Sequence, residues 1–179
     1  MRIVKTNQTR QPLIDSMFPG FKGHLRVLHD VEDESIKDYL AASIDAIGIY
    51  MGNEIFPTDF KVLYTYKYDY AYPSNLLGWY CGRWNVQTMQ ILDEADVDVS
   101  AEYEFDFEHG MVYNHPVGRK ITFSVGYTDK ADVPPNLKNI IYRLAADFYE
   151  NREANRVGDP KALPNWLEYS MASIWQPRV

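Results

Sequence analysis

The feature that most restricts how this chain can fold is a change of hydrophobic period along it. Between Asp33 and Met51, apolar or small residues recur at helical spacing, namely Ile36, Tyr39, Leu40, Ser43, Ile44, Ile47 and Met51. From Phe60 to Tyr72 the period drops to two, with Val62, Tyr64, Tyr66, Tyr68, Tyr70 and Tyr72 on one side and Leu63, Thr65, Lys67 and Asp69 on the other. A helix repeats about every 3.6 residues and a strand every two, so the two stretches cannot share one kind of element. The helical period returns after Pro135, where Leu137, Ile140, Ile141, Leu144, Ala145, Phe148 and Tyr149 form a stripe and Lys138, Asn139, Arg143, Asp147, Glu150 and Asn151 lie away from it.

These periods predict a helix over 33–51, stopped by Gly52-Asn53, with Asp33 and Glu34 suiting the positive end of its dipole. They predict a second helix over about 135–156, entered through Val133-Pro134-Pro135 and ended by Gly158, Asp159 and Pro160. A shorter one follows from Leu163-Pro164 to about Trp175, and residues 176–179 are expected to be extended. Strands are expected over 60–72, over 97–107 and across Ile121, Phe123, Val125 and Tyr127, with one or two weaker ones in 76–92. In 97–107, Val97, Val99, Ala101, Tyr103, Phe105 and Phe107 would face inward, opposite Asp98, Ser100, Glu102, Glu104 and Asp106. Residues 1–32, broken by Pro12, Pro19, Gly20 and Gly23, read as a lead-in arm in which Leu13, Ile14, Met17 and Phe18 make one short docking turn. The expectation is an α+β fold over 1–179, one domain, with an N-terminal helix, a long C-terminal helix, a short last helix, and an antiparallel β-rich insertion at about 54–127.

Composition narrows the function. A formal charge of -7 repels a phosphate backbone, which disfavours tight non-specific nucleic-acid binding. The single cysteine, Cys81, cannot close an internal disulfide, and Met1 to Arg10 is polar where a secretory signal needs an apolar core, so a reducing, cytosolic place of synthesis is expected. No apolar run approaches the ~18 residues that would span a bilayer. Aromatic residues make up 15% of the chain, with 14 Tyr and 4 Trp, enough to serve either a core or an interface.

No catalytic or cofactor constellation stands out. Same-face carboxylates among Glu102, Glu104, Asp106 and Glu108 would be about 6.5 to 7 Å apart on a strand, a spacing compatible with an inverting glycosidase pair, but they form one solvated stripe rather than two sides of a cleft. Glu108, His109 and His115 follow no common metal-ligand spacing, and His24 and His29 read as surface or capping residues. Cys81 has no evident His partner and reads as an inert thiol. Phosphate-loop, dinucleotide and nucleophile-elbow motifs do not occur. A binding module is the other reading: Trp79, Tyr80 and Trp84 around Gly78 and Gly82 could make an aromatic platform for a carbohydrate or a protein loop.

Thr122-Phe123-Ser124-Val125-Gly126-Tyr127, Ala131-Asp132-Val133-Pro134-Pro135-Asn136-Leu137-Lys138 and Phe148-Tyr149-Glu150-Asn151-Arg152-Glu153 resemble the C-terminal half of the tailed-bacteriophage head-tail connector (neck adaptor) family. A looser match lies in His24-Leu25-Arg26-Val27, the acidic stretch after it and the helix from Ile36 to Met51. The two matches cover about half of the residues and enclose the sheet, while 54–120 is larger and more aromatic than in compact members of that family and 163–179 matches loosely. The resemblance implies a non-enzymatic ring of identical subunits, usually twelve, beneath the portal protein in the virion neck. Such a ring joins the capsid to a tail or stopper protein and lets DNA pass without specific binding, with no cofactor and no membrane. On that footing Trp166, Tyr169, Trp175 and Pro177 are candidate portal contacts, and Glu102, Glu104, Asp106 and Glu108 a candidate channel-facing stripe that repels phosphates. Each also has a plainer reading, the tryptophans as staples of the last helix and the carboxylates as a solvated face.

Overall fold

A computed structural model of the chain describes residues 3–62, 79–80, 85–108, 110–113, 119–151, 166–167 and 170. Among these residues it is an α+β fold of three helices and an antiparallel four-stranded sheet, the class that the two periods predict. The chain divides into two compact units, one formed by Met1–Thr9 with Asn53–Gly126 and the other by Arg10–Gly52 with Tyr127–Val179.

The first unit is built on strands β1 (Ile3–Gln8), β2 (Thr58–Val62), β4 (Val86–Leu92) and β7 (Lys120–Val125), in the order β1-β2-β7-β4. Register places Phe60 opposite Phe123 and Phe123 opposite Met89, and Val62 opposite Ile121 and Ile121 opposite Ile91. Residues paired across strands share a face, so these rows make one apolar side. Phe60 and Phe123 stack at 5.2 Å between ring centroids, and Ile3, Met89, Val99, Tyr103 and Phe105 pack against the cluster. A smaller sheet, β3-β6-β5, joins β3 (Trp79–Tyr80), β5 (Phe105–Asp106) and β6 (Met111–Val112). Gly126 closes β7 with φ at 93°, and a Cβ there would fall on the Phe56 carbonyl oxygen, so only glycine fits.

The named elements of the second unit among the described residues are α1 (Gln11–Leu25), α2 (Asp33–Met51) and α3 (Pro135–Glu150), with α2 packed against both of the others. α2 occupies the span predicted from its stripe, begins with Asp33 and Glu34, and stops at Gly52 in the left-handed region. α3 begins at Pro135, as the Pro-Pro entrance predicts, and buries Leu137, Ile140, Ile141, Leu144 and Ala145. It is helical to Glu150, and its expected continuation over 152–156 lies outside the described residues, as do 63–72 of the tyrosine alternation.

Two expectations need correction. Residues 1–32 are not an arm with one turn: Ile3–Gln8 forms the edge strand β1, and α1 runs for 15 residues. Pro12 sits in the first turn, where its missing N–H would have no partner anyway, and the buried set Leu13, Ile14, Met17 and Phe21 outweighs the loss at Pro19. Gly20 is a point of close approach, because a Cβ there would stand 2.7 Å from the Tyr142 hydroxyl, which donates to the Met17 carbonyl at 2.9 Å.

The second correction concerns 97–107, which is not one strand. It contains a bridge at Asp98, a 3-10 turn at Ser100–Glu102 and the two-residue strand β5. Asp93 Oδ1 accepts from the backbone N–H groups of Ala95 and Val97, Asp98 Oδ1 accepts from that of Ser100, and the Ser100 hydroxyl accepts from Ile91 N–H. These local side-chain bonds compete with a ladder and win. Val97, Ala101 and Phe107 are consequently exposed, while Val99, Tyr103 and Phe105 are half-buried.

Candidate functional site

The side of the four-stranded sheet opposite the cluster is polar. Asp59 pairs with Ser124 and Ser124 with Thr88, and the next row holds Lys61, Thr122 and Gln90. The Thr88 and Ser124 hydroxyls lie 2.6 Å apart, and Asn7 Nδ2 donates to Asp59 Oδ2 at 3.4 Å. Short hydroxyls and amides of this kind can form hydrogen bonds to a partner.

The four carboxylates of the candidate stripe occupy different local structures. Glu102 ends the 3-10 turn, exposed, 4.0 Å from an Arg119 guanidinium nitrogen. Arg119 in turn donates Nε to the Tyr103 hydroxyl at 3.4 Å, and that bond is the main influence raising its pKa. Glu104 and Glu108 are exposed, and their backbone carbonyls accept from Tyr113 and Asn85. Asp106 is half-buried in β5 opposite Met111. Glu102, Glu104 and Glu108 thus share an exposed, acidic segment of the first unit, although not a single strand face.

In the second unit, polar bonds fix the loop between α1 and α2. Lys22 Nζ donates to Asp30 at 2.5 Å and to Asp33 at 2.7 Å. Hydrogen bonding to Asp30, then to Asp33, raises the Lys22 pKa, and hydrogen bonding to Lys22 holds the Asp30 carboxyl below its usual range. Arg26 takes a left-handed conformation with its N–H on the Gly23 carbonyl, and Tyr149 donates its hydroxyl to Glu32 at 2.6 Å. The loop nevertheless leaves Leu28 and Val31 in solvent, and the last turn of α2 does the same with Ile49 and Tyr50. Sequence reasoning missed all four. Ile49 carries a faint signal, since it falls off the α2 stripe, whereas no period applies to a loop.

Trp166 lies half-buried with the Arg143 guanidinium 4.1 Å from its ring centroid, and Leu167 beside it is fully buried. Tyr169, Trp175 and Pro177 lie outside the described residues, as do Cys81, Trp84, His109 and His115. Trp79 and Tyr80 form β3, and nothing further is defined for the aromatic platform. His24 is exposed near Phe21 and Tyr142, at 6.5 and 6.0 Å between centroids, and His29 is exposed in the loop. Among the described residues no group of three His, Cys, Asp or Glu side chains converges on a point, and no helix is long and apolar enough to cross a membrane.

No protein-family model and no curated protein sequence matches the chain. Solved structures do. A chain in the neck of an empty gene transfer agent particle, computed with C6 symmetry, matches with a TM-score of 0.63 at 20% identity. A chain in the virion of the native gene transfer agent particle gives 0.62 at 20%, and one in the native neck computed with C12 symmetry gives 0.59 at 19%. Each match covers 100% of this chain and 97% of the other, so from one end to the other this chain has the fold of a chain found in the neck of a gene transfer agent particle.

Proposed function

We propose that the chain is a structural subunit of the neck of a tailed-phage-like particle, a head-tail connector that assembles as a ring and performs no turnover. The observation that carries this reading is the full-length likeness in both directions to chains of gene transfer agent necks. A likeness that spans helices and sheet alike supports the same assembly role better than a shared helical motif would. The resemblance of 122–138 and 148–153 to head-tail connectors points the same way from the sequence.

In this reading twelve copies surround an axial channel below a portal protein, and a tail or stopper protein docks on the far side. The segment of Trp166, Tyr169, Trp175 and Pro177 meets the portal, with Trp166 anchored on α3 through Arg143. Glu102, Glu104 and Glu108, with Asp106 beside them, face passing DNA. A carboxylate surface repels phosphates and offers DNA no counterion-release attraction, so the duplex slides without sticking. Electron microscopy of particles that encode this chain tests the reading directly: a ring of it between capsid and tail is expected, and a neck built without it overturns the proposal.

A further inference from the structure

Four large apolar side chains of the helical unit stand in water: Leu28 is 97% exposed, Val31 90%, Ile49 82% and Tyr50 40%. They form two pairs, one in the loop that leads into α2 and one in its last turn. At a rise of about 1.5 Å per residue, the helix separates Asp33 from Ile49 by about 24 Å, so the pairs cannot cover each other within a subunit. Single exposed apolar residues are ordinary, but paired ones on a braced support are not. The brace here comprises the Lys22 bonds to Asp30 and Asp33, the Asp33 N–H on the Asp30 carbonyl, the Val27 N–H on the Lys22 carbonyl and the Tyr149 bond to Glu32. Together they hold Leu28 and Val31 outward as a fixed knob.

We propose that the Leu28–Val31 knob of one subunit docks on Ile49 and Tyr50 of the next copy of this chain, so that the loop leading into α2 and the last turn of α2 carry the two halves of a head-to-tail contact. The inference rests on the ring reading above. A closed ring needs two different patches on one rigid body, each complementary to the other and not to itself, and two apolar patches at opposite ends of one helix meet that requirement. Charge agrees with it. The knob segment carries Asp30, Glu32, Asp33 and Glu34, of which Lys22 meets Asp30 and Asp33 and Lys37 meets Glu34, so an acidic excess remains, whereas one helical turn before Ile49 the Arg10 guanidinium pairs with Asp45 at 2.9 Å with 49% of its side chain exposed. A knob with an acidic excess therefore meets a receiver whose Ile49 and Tyr50 lie about one helical turn from a half-exposed guanidinium, and aromatic side chains and arginine are favoured at interface centres.

The test uses whole particles that carry the full chain with Cys81→Ser and cysteines introduced at Leu28 or Val31 and at Ile49 or Tyr50, joined by a short bismaleimide. A stepwise ladder of covalent multimers is expected only when one knob cysteine and one receiver cysteine are both present. Cross-linking by a knob cysteine alone would mean a self-complementary contact and would overturn the inference. Particles whose necks contain a ring of this chain, but in which none of the four pairings gives a ladder, would overturn it too, while leaving the ring itself standing. Necks that lack the chain altogether would remove the reading beneath it. As a second arm, Leu28→Asp with Val31→Asp should leave the thermal midpoint of the purified chain unchanged and abolish ring incorporation. Incorporation at the unsubstituted level would reject the interface.

Discussion

The Tyr149 hydroxyl donates to a Glu32 carboxylate oxygen at 2.6 Å, which ties the end of α3 to the residue just before α2, 117 positions earlier in the chain. The same ring meets Tyr39 edge-on at 6.1 Å between centroids, so it joins the two helices through both a polar and an apolar contact. Tyr149→Phe keeps the ring and deletes the bond to a charged acceptor. It should lower stability by about 1.5 to 3 kcal/mol, read from the urea midpoint. Tyr149→Ala should cost more, because the edge contact goes as well.

Gly126→Ala tests whether the end of β7 is as tightly determined as the backbone indicates. With φ at 93° and the Phe56 carbonyl where a methyl would go, neither the backbone nor its neighbour can accommodate a Cβ without moving. A loss of about 2 kcal/mol or more is expected in equilibrium unfolding, against a near-neutral effect for Gly23→Ala, where nothing lies within 4 Å of the added methyl.

The elements legible in the sequence were those whose burial follows one uninterrupted period. α2 could be read from Ile36, Leu40, Ser43, Ile44 and Ile47 because a single helix face meets the interior, and the core side of β7 from Ile121, Phe123 and Val125 for the same reason at period two. Residues 97–107 show the same alternation as β7 but fold otherwise, since Asp93, Asp98 and Ser100 satisfy backbone N–H groups locally and a hydropathy period does not register such bonds. α1 was obscured because Pro12, Pro19 and Gly20 count as breakers until their places in the helix are known. The exposed knob and receiver were invisible for a different reason: an apolar residue in a loop looks the same in sequence whether the subunit buries it or leaves it out.

Asp98 gives the acid limb of stability an identifiable contributor. Hydrogen bonding from Ser100, then Gln90, holds its carboxyl below the usual carboxylate range. A group whose folded pKa is depressed stabilises above its unfolded pKa, about 3.9 for Asp, and the contribution disappears as pH falls through the folded value. The stability gap between the unsubstituted chain and Asp98→Ala should therefore be full at pH 7 and shrink below about pH 4. Urea midpoints at pH 7, 4 and 3 check this, and a gap independent of pH would mean that Asp98 acts through backbone shape alone.

Arg143 over Trp166 anchors the described part of the last helical segment to α3. Arg143→Ala should cost about 0.5 to 1 kcal/mol and shift the fluorescence of Trp166 toward longer wavelength as the ring gains water. Arg143→Lys should recover only part of this, because an ammonium cannot lie flat on the indole as a guanidinium does.

Glu102, Glu104 and Glu108 are exposed and, apart from the 4.0 Å approach of Arg119 to Glu102, have no close cationic partner among the described residues. Replacing all three with Gln keeps size and hydrogen-bonding capacity while removing three negative charges, so stability should stay within about 0.5 kcal/mol per site. If these side chains face the channel, the proposed phosphate repulsion weakens, and DNA should leave the particle more slowly at low salt, with the difference fading as salt screens the residual field. Particles should still assemble, because no apolar contact has changed. DNA release at the original rate across all salt concentrations would place the acidic segment away from the bore and leave it as a solvated surface.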